Sequence, residues 1–300
     1  MTGSQIQAVP GLAPDVAAFW VADSGSVQYV VSCPETRDCV VVDPVLDYDE
    51  KSGAIAHHSA DRLLAHIAKN NLRLVRILDT HPHADHLSAA AYLHEKTSAP
   101  TAIGARVVEV QKLWREIYDI PDFPVDGRQW DHLFADDETF TIGKLSGRIM
   151  LSAGHTLCSI TYVIGDAAFI HDTLFMPDTG AARADFPGGD AGVLYDSIAA
   201  IMALPDDTRL FTGHDYRHGG RDPAWETTVA QQRRENPWTT YDRASFIEHR
   251  HARDAALPMP RLILHALQVN INAGNLPVSD AKGRRFLKIP LNALGPHPDS

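Results

Sequence analysis

Short apolar runs punctuated by turn residues open the chain. FWVADSG, VQYVVSCPE and DCVVVDP, between Ala18 and Asp43, are rich in β-branched and aromatic residues and are separated by Ser-Gly-Ser and Pro-Glu-Thr-Arg-Asp turns. That grammar predicts a β-meander. From Ser59 to Asn70-Asn71 the apolar residues Leu63, Leu64 and Ile67 recur at helical spacing. Leu72 to Leu78 (LRLVRIL) reads as a buried strand running straight into the polar loop that begins Asp79-Thr80-His81. A helix over Leu87 to Lys96, a strand at Thr101 to Gly104 and an amphipathic helix through Val108, Leu113 and Tyr118 are expected next.

A second β-rich block begins near Asp136. ETFTIGKLSGRIMLSAGH and SITYVIGDAAFIHDTLF alternate as strands broken by Gly-Lys, Ser-Gly and Gly-Asp turns. A helix over Leu194 to Leu204 and a strand in RLFTGHDY follow. Strands that bury against each other with helices outside give an α/β fold, a four-layer αββα sandwich of two similar halves. After Arg233 the pattern changes, and Pro258 and Pro260 interrupt it. Residues 15–235 are read as the main domain and 236–300 as a C-terminal extension packed on it, because so short a segment holds little core of its own. Its apolar Leu262, Ile263 and Leu267 either cover the main body or bury the interface of a homodimer.

Composition narrows the class. At 300 residues, 44% hydrophobic and 22% charged, the chain can build a sizeable core. No stretch reaches the roughly 18 apolar residues of a membrane span, so no membrane partner is expected. The net charge of −11 argues against a nucleic-acid surface. Three cysteines, Cys33, Cys39 and Cys158, suggest free thiols in a reducing compartment. The opening MTGSQIQAVPGLAPDV has neither the basic nor the apolar region of a secretory signal, so a cytoplasmic location is the expectation.

The sharpest chemical signal is His81-Pro82-His83-Ala84-Asp85-His86, four potential metal donors directly after a predicted strand. His155 in SAGHT, Asp172 in FIHDTLF and His214 in LFTGHDY each follow an apolar run as well. Strand ends of this kind converge on one edge of a sandwich, where sites form. Cys158 near His155 reads as a small buried thiol rather than a nucleophile. His57-His58, His249 and His251 sit in charged or loop contexts and read as surface histidines. Gly188-Gly189 lacks the Lys-Ser/Thr of a phosphate loop and reads as a turn before the next helix. Asp43 and Asp79, at strand ends, are candidates to support the site or to make turns.

The order HPHADH, GHT, HDT, GHD resembles the metallo-β-lactamase fold superfamily over about residues 15–235. THPHADHLSAA, DTLFMPDTGAARADFPGGDA, the GHDY element and the tail MPRLILHALQVNINAG look like its persulfide dioxygenase (sulfur dioxygenase) family, in the bacterial branch. Two departures stand out: Pro82 within the motif, where the related glyoxalase II carries an unbroken His triplet, and His171 before Asp172, where relatives usually have Gly.

The resemblance implies one Fe(II) per chain held by His81, His155 and Asp172, a two-His, one-carboxylate face with open positions. His83, Asp85, His86 and His214 would orient those ligands or form a second metal site. It further implies Tyr216 as a catalytic phenol near the iron and Arg183 as the residue that binds the carboxylates of the thiol. The implied reaction, part of sulfide metabolism, is oxidation of a thiol persulfide, with glutathione persulfide first in line, by O2 to sulfite and free thiol. The alternative is a glyoxalase II-like hydrolase of a thioester or lactone, using one or two Zn(II) ions bridged by Asp172. A third reading is a non-catalytic metal- or thiol-sensing module.

Overall fold

The computed structural model describes residues 11–294; the leader MTGSQIQAVP lies outside them. Strands β1 (Asp15–Trp20), β2 (Val27–Ser32) and β3 (Asp38–Val42) form the expected meander. β4 (Val45–Asp49), β5 (Ala54–Ala56), α1 (His58–Lys69), β6 (Arg73–Leu78), β7 (Leu87–Ser88), α2 (Ala90–Thr97), β8 (Thr101–Gly104), α3 (Val107–Ile117) and β9 (His132–Phe134) complete the first half. The second half runs β10 (Thr139–Ile142), β11 (Leu145–Leu151), β12 (Ile160–Ile164), β13 (Ala167–His171), α4 (Ala191–Met202), β14 (Arg209–Thr212), β15 (Glu226–Thr228) and α5 (Val229–Glu235). Helices α6 (Arg243–Asp254) and α7 (Ile263–Asn270) follow.

Two six-stranded sheets, β1-β2-β3-β6-β8-β9 and β10-β11-β12-β13-β14-β15, face each other. Side-chain alternation explains the layering. Tyr29, Val31, Val40, Val42 and Leu78 turn inward to meet Ile149, Tyr162, Phe169 and Phe211 of the other sheet. Their neighbours Val30, Val41 and Ile77 turn outward onto Leu63 and Ile67 of α1 and Leu93 of α2. On the far side Ala168, Ile170 and Leu210 pack on Leu194, Ile198 and Ile201 of α4 and on Phe246 of α6. The αββα expectation holds, and it explains why these strands read as nearly unbroken apolar runs.

β13 pairs parallel with β14, and β11 lies two antiparallel steps from β13. The C-terminal ends of β11, β13 and β14 therefore share one edge of the second sheet. His155, Asp172 and His214 are borne just beyond those ends.

One sequence expectation changes, and one choice between two alternatives is decided. The helix expected from Leu87 begins only at Ala90, because Leu87 and Ser88 pair with Leu46 and Val45 as strand β7. Leu262, Ile263 and Leu267 are at most 4% exposed and pack on the chain's own core, so this apolar surface is already covered and is not free to form a dimer interface. No helix among the described residues is long and apolar enough to cross a membrane.

Candidate metal centre

Three donor atoms, one each from His81, His155 and Asp172, lie within 4.8 Å of one another. Their geometry is set by neighbours that fix each tautomer. Thr80 donates its hydroxyl hydrogen to Asp43 Oδ2 at 2.8 Å, so its oxygen accepts from His81 Nδ1 at 2.9 Å and leaves His81 Nε2 with its lone pair. His155 Nδ1 donates to the Arg183 carbonyl at 2.8 Å, which leaves Nε2 free in the same way. Asp172 Oδ2 lies 3.6 Å from His155 Nε2 and 3.9 Å from His81 Nε2. Burial pushes both imidazoles below their ordinary range, so they are neutral and able to ligate.

His81 Nε2 is buried and has no hydrogen-bond partner. Such an atom carries a desolvation cost of about 1–3 kcal/mol unless something satisfies it. A cation between His81, His155 and Asp172 would do so, and the donor set suits iron or zinc. The residues present therefore fit a metal.

His214 bridges two carboxylates. Its Nδ1 lies 2.5 Å from Asp172 Oδ1 and its Nε2 lies 2.7 Å from Asp85 Oδ2. Burial alone would push this imidazole down, but Asp172 and Asp85 lift it well above its ordinary value, so both nitrogens donate. Burial likewise would raise Asp172, and the His214 charge overrides it to bring the carboxyl to about 2. Ser26 Oγ donates to Asp85 Oδ2 at 2.8 Å.

His83, Asp85 and His86 form a second group whose donor atoms also converge. It is partly engaged. His83 Nε2 faces Asp43 Oδ1 at 3.1 Å while its Nδ1 is buried and unpartnered, and Asp85 Oδ2 is shared between His214 and Ser26. His86 Nδ1 donates to the Leu87 carbonyl at 3.0 Å, leaving its Nε2 buried and unpartnered. Asp43 supports the site from beneath, while Asp79 accepts from Ser88 Oγ and Trp130 Nε1.

His171 has φ +40°, a backbone region that favours glycine. Its ring is buried, with Nε2 2.8 Å from Ser152 Oγ and 2.9 Å from Thr173 Oγ1. Gly213, next to His214, has a different requirement: a Cβ there would lie 2.8 Å from Asp172 Oδ1 and 3.1 Å from the His171 backbone.

A cavity of about 810 Å³ opens over His155, Asp172 and Asp85, with Phe175, Phe186 and the Leu257–Leu262 segment in its walls. Tyr216 also lines it; the residue is 56% exposed, and its ring stacks parallel on His214 at 5.6 Å. Arg183 lines it too, with its fork partly engaged. Nε and Nη2 pair with Asp185 at 2.6 and 2.8 Å, and Nη1 donates to the Pro258 carbonyl at 2.7 Å. Cys158 is fully buried and burial pushes its thiol up to about 12, in keeping with a structural role.

Several supporting residues escaped the sequence reading. Arg250, 1% exposed, pairs with Asp254 at 2.6 Å and donates to the Ala181 and Ala182 carbonyls, while Asp254 Oδ2 accepts from Ala184 N at 3.0 Å. The pair thus grips both sides of Arg183, whose carbonyl holds His155. Asn270 reaches the loop after His81 in a similar way. The sequence marks it only as a polar residue closing the apolar helix ILHALQVN, within the tail segment MPRLILHALQVNINAG.

An αββα sandwich with a buried His/Asp cluster at the ends of its strands defines an enzyme of the metallo-hydrolase fold. The chain belongs to the Metallo-beta-lactamase superfamily, which residues 22–214 match. It is 58% identical over 282 residues to the Beta-lactamase hydrolase-like protein of Xylella fastidiosa, covering 94% of this chain and 65% of that one. The chain thus spans just under two thirds of that relative's length. It is 42% identical to Glyoxylase B2 of Dictyostelium discoideum, over 93% of this chain and 97% of that one. The human mitochondrial persulfide dioxygenase ETHE1 is 28% identical, over 82% of this chain and 83% of that one. The crystal structure of ETHE1 from Myxococcus xanthus matches with a TM-score of 0.70 at 29% identity, covering 87% of this chain and all of that one.

Proposed function

We propose that this chain is an Fe(II)-dependent dioxygenase that oxidises the terminal sulfur of a low-molecular-weight persulfide, with glutathione persulfide as substrate, to sulfite and the free thiol. The observation that carries the reading is the commitment of both His214 nitrogens to carboxylates. With His214 so engaged, His81, His155 and Asp172 converge as two imidazoles and one carboxylate, a set apart from the His83, Asp85 and His86 group. The likeness to the two ETHE1 proteins supports the same reading. Iron held there would supply a redox-active centre with open coordination positions. Two oxygen atoms of the sulfite come from O2 and the third from water, and the sulfur–sulfur bond breaks to release the thiol.

The chain's own residues do the rest. The Arg183 carbonyl holds His155 in the tautomer that presents Nε2. Phe175 and Phe186 keep one side of the cavity apolar, which suits a neutral sulfur chain. Tyr216 donates its hydroxyl to oxygen developing on that sulfur. Arg183, anchored by Asp185, keeps one N–H on each Nη for a carboxylate of the thiol carrier.

A second reading, hydrolysis of a thioester or lactone on zinc, is favoured by the His83, Asp85 and His86 group and by the likeness to Glyoxylase B2. The two separate by product. Protein loaded with one equivalent of Fe(II) is expected to form sulfite from glutathione persulfide and to leave a glutathione thioester intact. Thioester cleavage by the Zn(II) form, with no sulfite from the Fe(II) form, would overturn the dioxygenase reading.

A further inference from the structure

Asn270, the last residue of α7, is 3% exposed and makes three hydrogen bonds through its side-chain amide, all to the backbone of one loop. Its Nδ2 donates to the carbonyls of His83 and His86, both at 2.8 Å, and its Oδ1 accepts from Ser88 N at 2.7 Å. Two carbonyl acceptors and one N–H donor admit only one orientation of the amide. The bonded backbone groups bracket Asp85. Through Asp85 the loop reaches His214, and through His214 it reaches Asp172.

The backbone here has few other partners. The segment between Leu78 and Leu87 is irregular, so these carbonyls cannot be satisfied by a strand ladder. Pro82 further removes one backbone donor from the loop. Close packing adds to the grip: a Cβ on Gly274, just after α7, would lie 2.6 Å from the Ser88 carbonyl.

We propose that Asn270 is a positioning residue of the metal centre: an amide supplied by the C-terminal helix that sets the shape of the His81–His86 loop and, through Asp85 and His214, the direction of the Asp172 carboxylate. The inference rests on the metal-site reading given above. It assigns to α7 a part in holding metal, besides covering the core with Ala266 and Val269. Supporting groups of this kind change metal affinity about 10- to 100-fold when removed.

The test is a Co(II) titration of the full-length apoprotein by chelator competition, with circular dichroism and the thermal midpoint of the apo form beside it. Asn270→Ala is expected to weaken Co(II) binding about 10- to 100-fold and to alter the visible ligand-field spectrum of the bound ion. Asn270→Asp keeps the acceptor for Ser88 but turns an oxygen toward two carbonyls, and it is expected to bind Co(II) no better than the alanine variant. Val269→Ala, a neighbouring fully buried core residue, is expected to lower the thermal midpoint while keeping the affinity and spectrum of the parent. Parental affinity and spectrum in both folded Asn270 variants would overturn the inference and leave the metal site standing. An equal loss of affinity in Val269→Ala would also overturn it, by showing a general loss of stability. Failure of the parent protein to bind Co(II) would overturn the metal-site reading itself, and the inference with it.

Discussion

His214 Nδ1 and Asp172 Oδ1 lie 2.5 Å apart, the shortest link in a chain that continues from His214 Nε2 to Asp85. The contact divides the histidine and carboxylate cluster into two classes of residue. His81 and His155 keep a free nitrogen each, whereas His214 has none left to offer. A ring clamped between two carboxylates would act on a metal held there through Asp172.

Replacing His214 with alanine should therefore loosen Asp172 without removing a ligand. Metal affinity is expected to fall about 10- to 100-fold while the stoichiometry stays at a single ion per chain. Elemental analysis after equilibrium dialysis reads both quantities. A fall from two ions to one would instead identify His214 as a ligand in a dinuclear centre.

Gly213 offers an independent probe of the same carboxylate. The Cβ of alanine would press on Asp172 Oδ1 and on the His171 backbone, and that backbone has little room to move. Gly213→Ala is expected to reduce Co(II) affinity at least as much as the loss of His214, with the far-ultraviolet circular dichroism retained. Unchanged affinity would mean that Asp172 does not need its present position.

The Arg250–Asp254 pair is buried and joined to the loop that carries Arg183. Removing one partner strands the other charge, and Asp254→Ala or Arg250→Met is expected to cost about 3–5 kcal/mol in urea unfolding. The double replacement Arg250→Met with Asp254→Leu should recover part of that loss. Recovery stays incomplete because the Ala184 N–H and the Ala181 and Ala182 carbonyls lose their partners. Additive losses in the double variant would contradict a coupled pair.

Cys33, Cys39 and Cys158 are all buried and unpaired. Burial also pushes the Cys39 and Cys158 thiols up to about 12, which lowers their thiolate fraction further. Native protein is expected to leave all three thiols unreacted with a disulfide reagent at pH 8, and denatured protein to titrate all three. Rapid reaction of Cys158 in the native state would reopen a nucleophilic role for it.

Much of this centre is legible in the sequence. His81, His155, Asp172 and His214 follow apolar strands, and period-two burial with helices outside leaves such strand ends at one edge. Local signals also placed α1 and β6 closely, because both begin and end on clear turn residues. Legibility failed where a distant partner decides the outcome. Leu87 and Ser88 look helical in isolation and became a strand because Val45 and Leu46 pair with them. The Asp185 partner of Arg183 lies nearby in sequence, but the Pro258 carbonyl that takes a further N–H of its fork comes from far along the chain. Asn270 lies inside the tail segment MPRLILHALQVNINAG, but nothing in that pattern gives it a role, which depends on backbone groups that only the folded chain brings within reach.

The proposed function rests on oxygen chemistry at the His81, His155 and Asp172 site, with a persulfide as substrate. Oxygen uptake measures it directly, using anaerobically Fe(II)-loaded protein mixed with glutathione persulfide and the Zn(II)-loaded form in parallel. The expected result is rapid uptake with iron alone, with one sulfite formed per O2 consumed, and none in the His155→Ala variant. No uptake from protein whose iron content has been confirmed would contradict the claim.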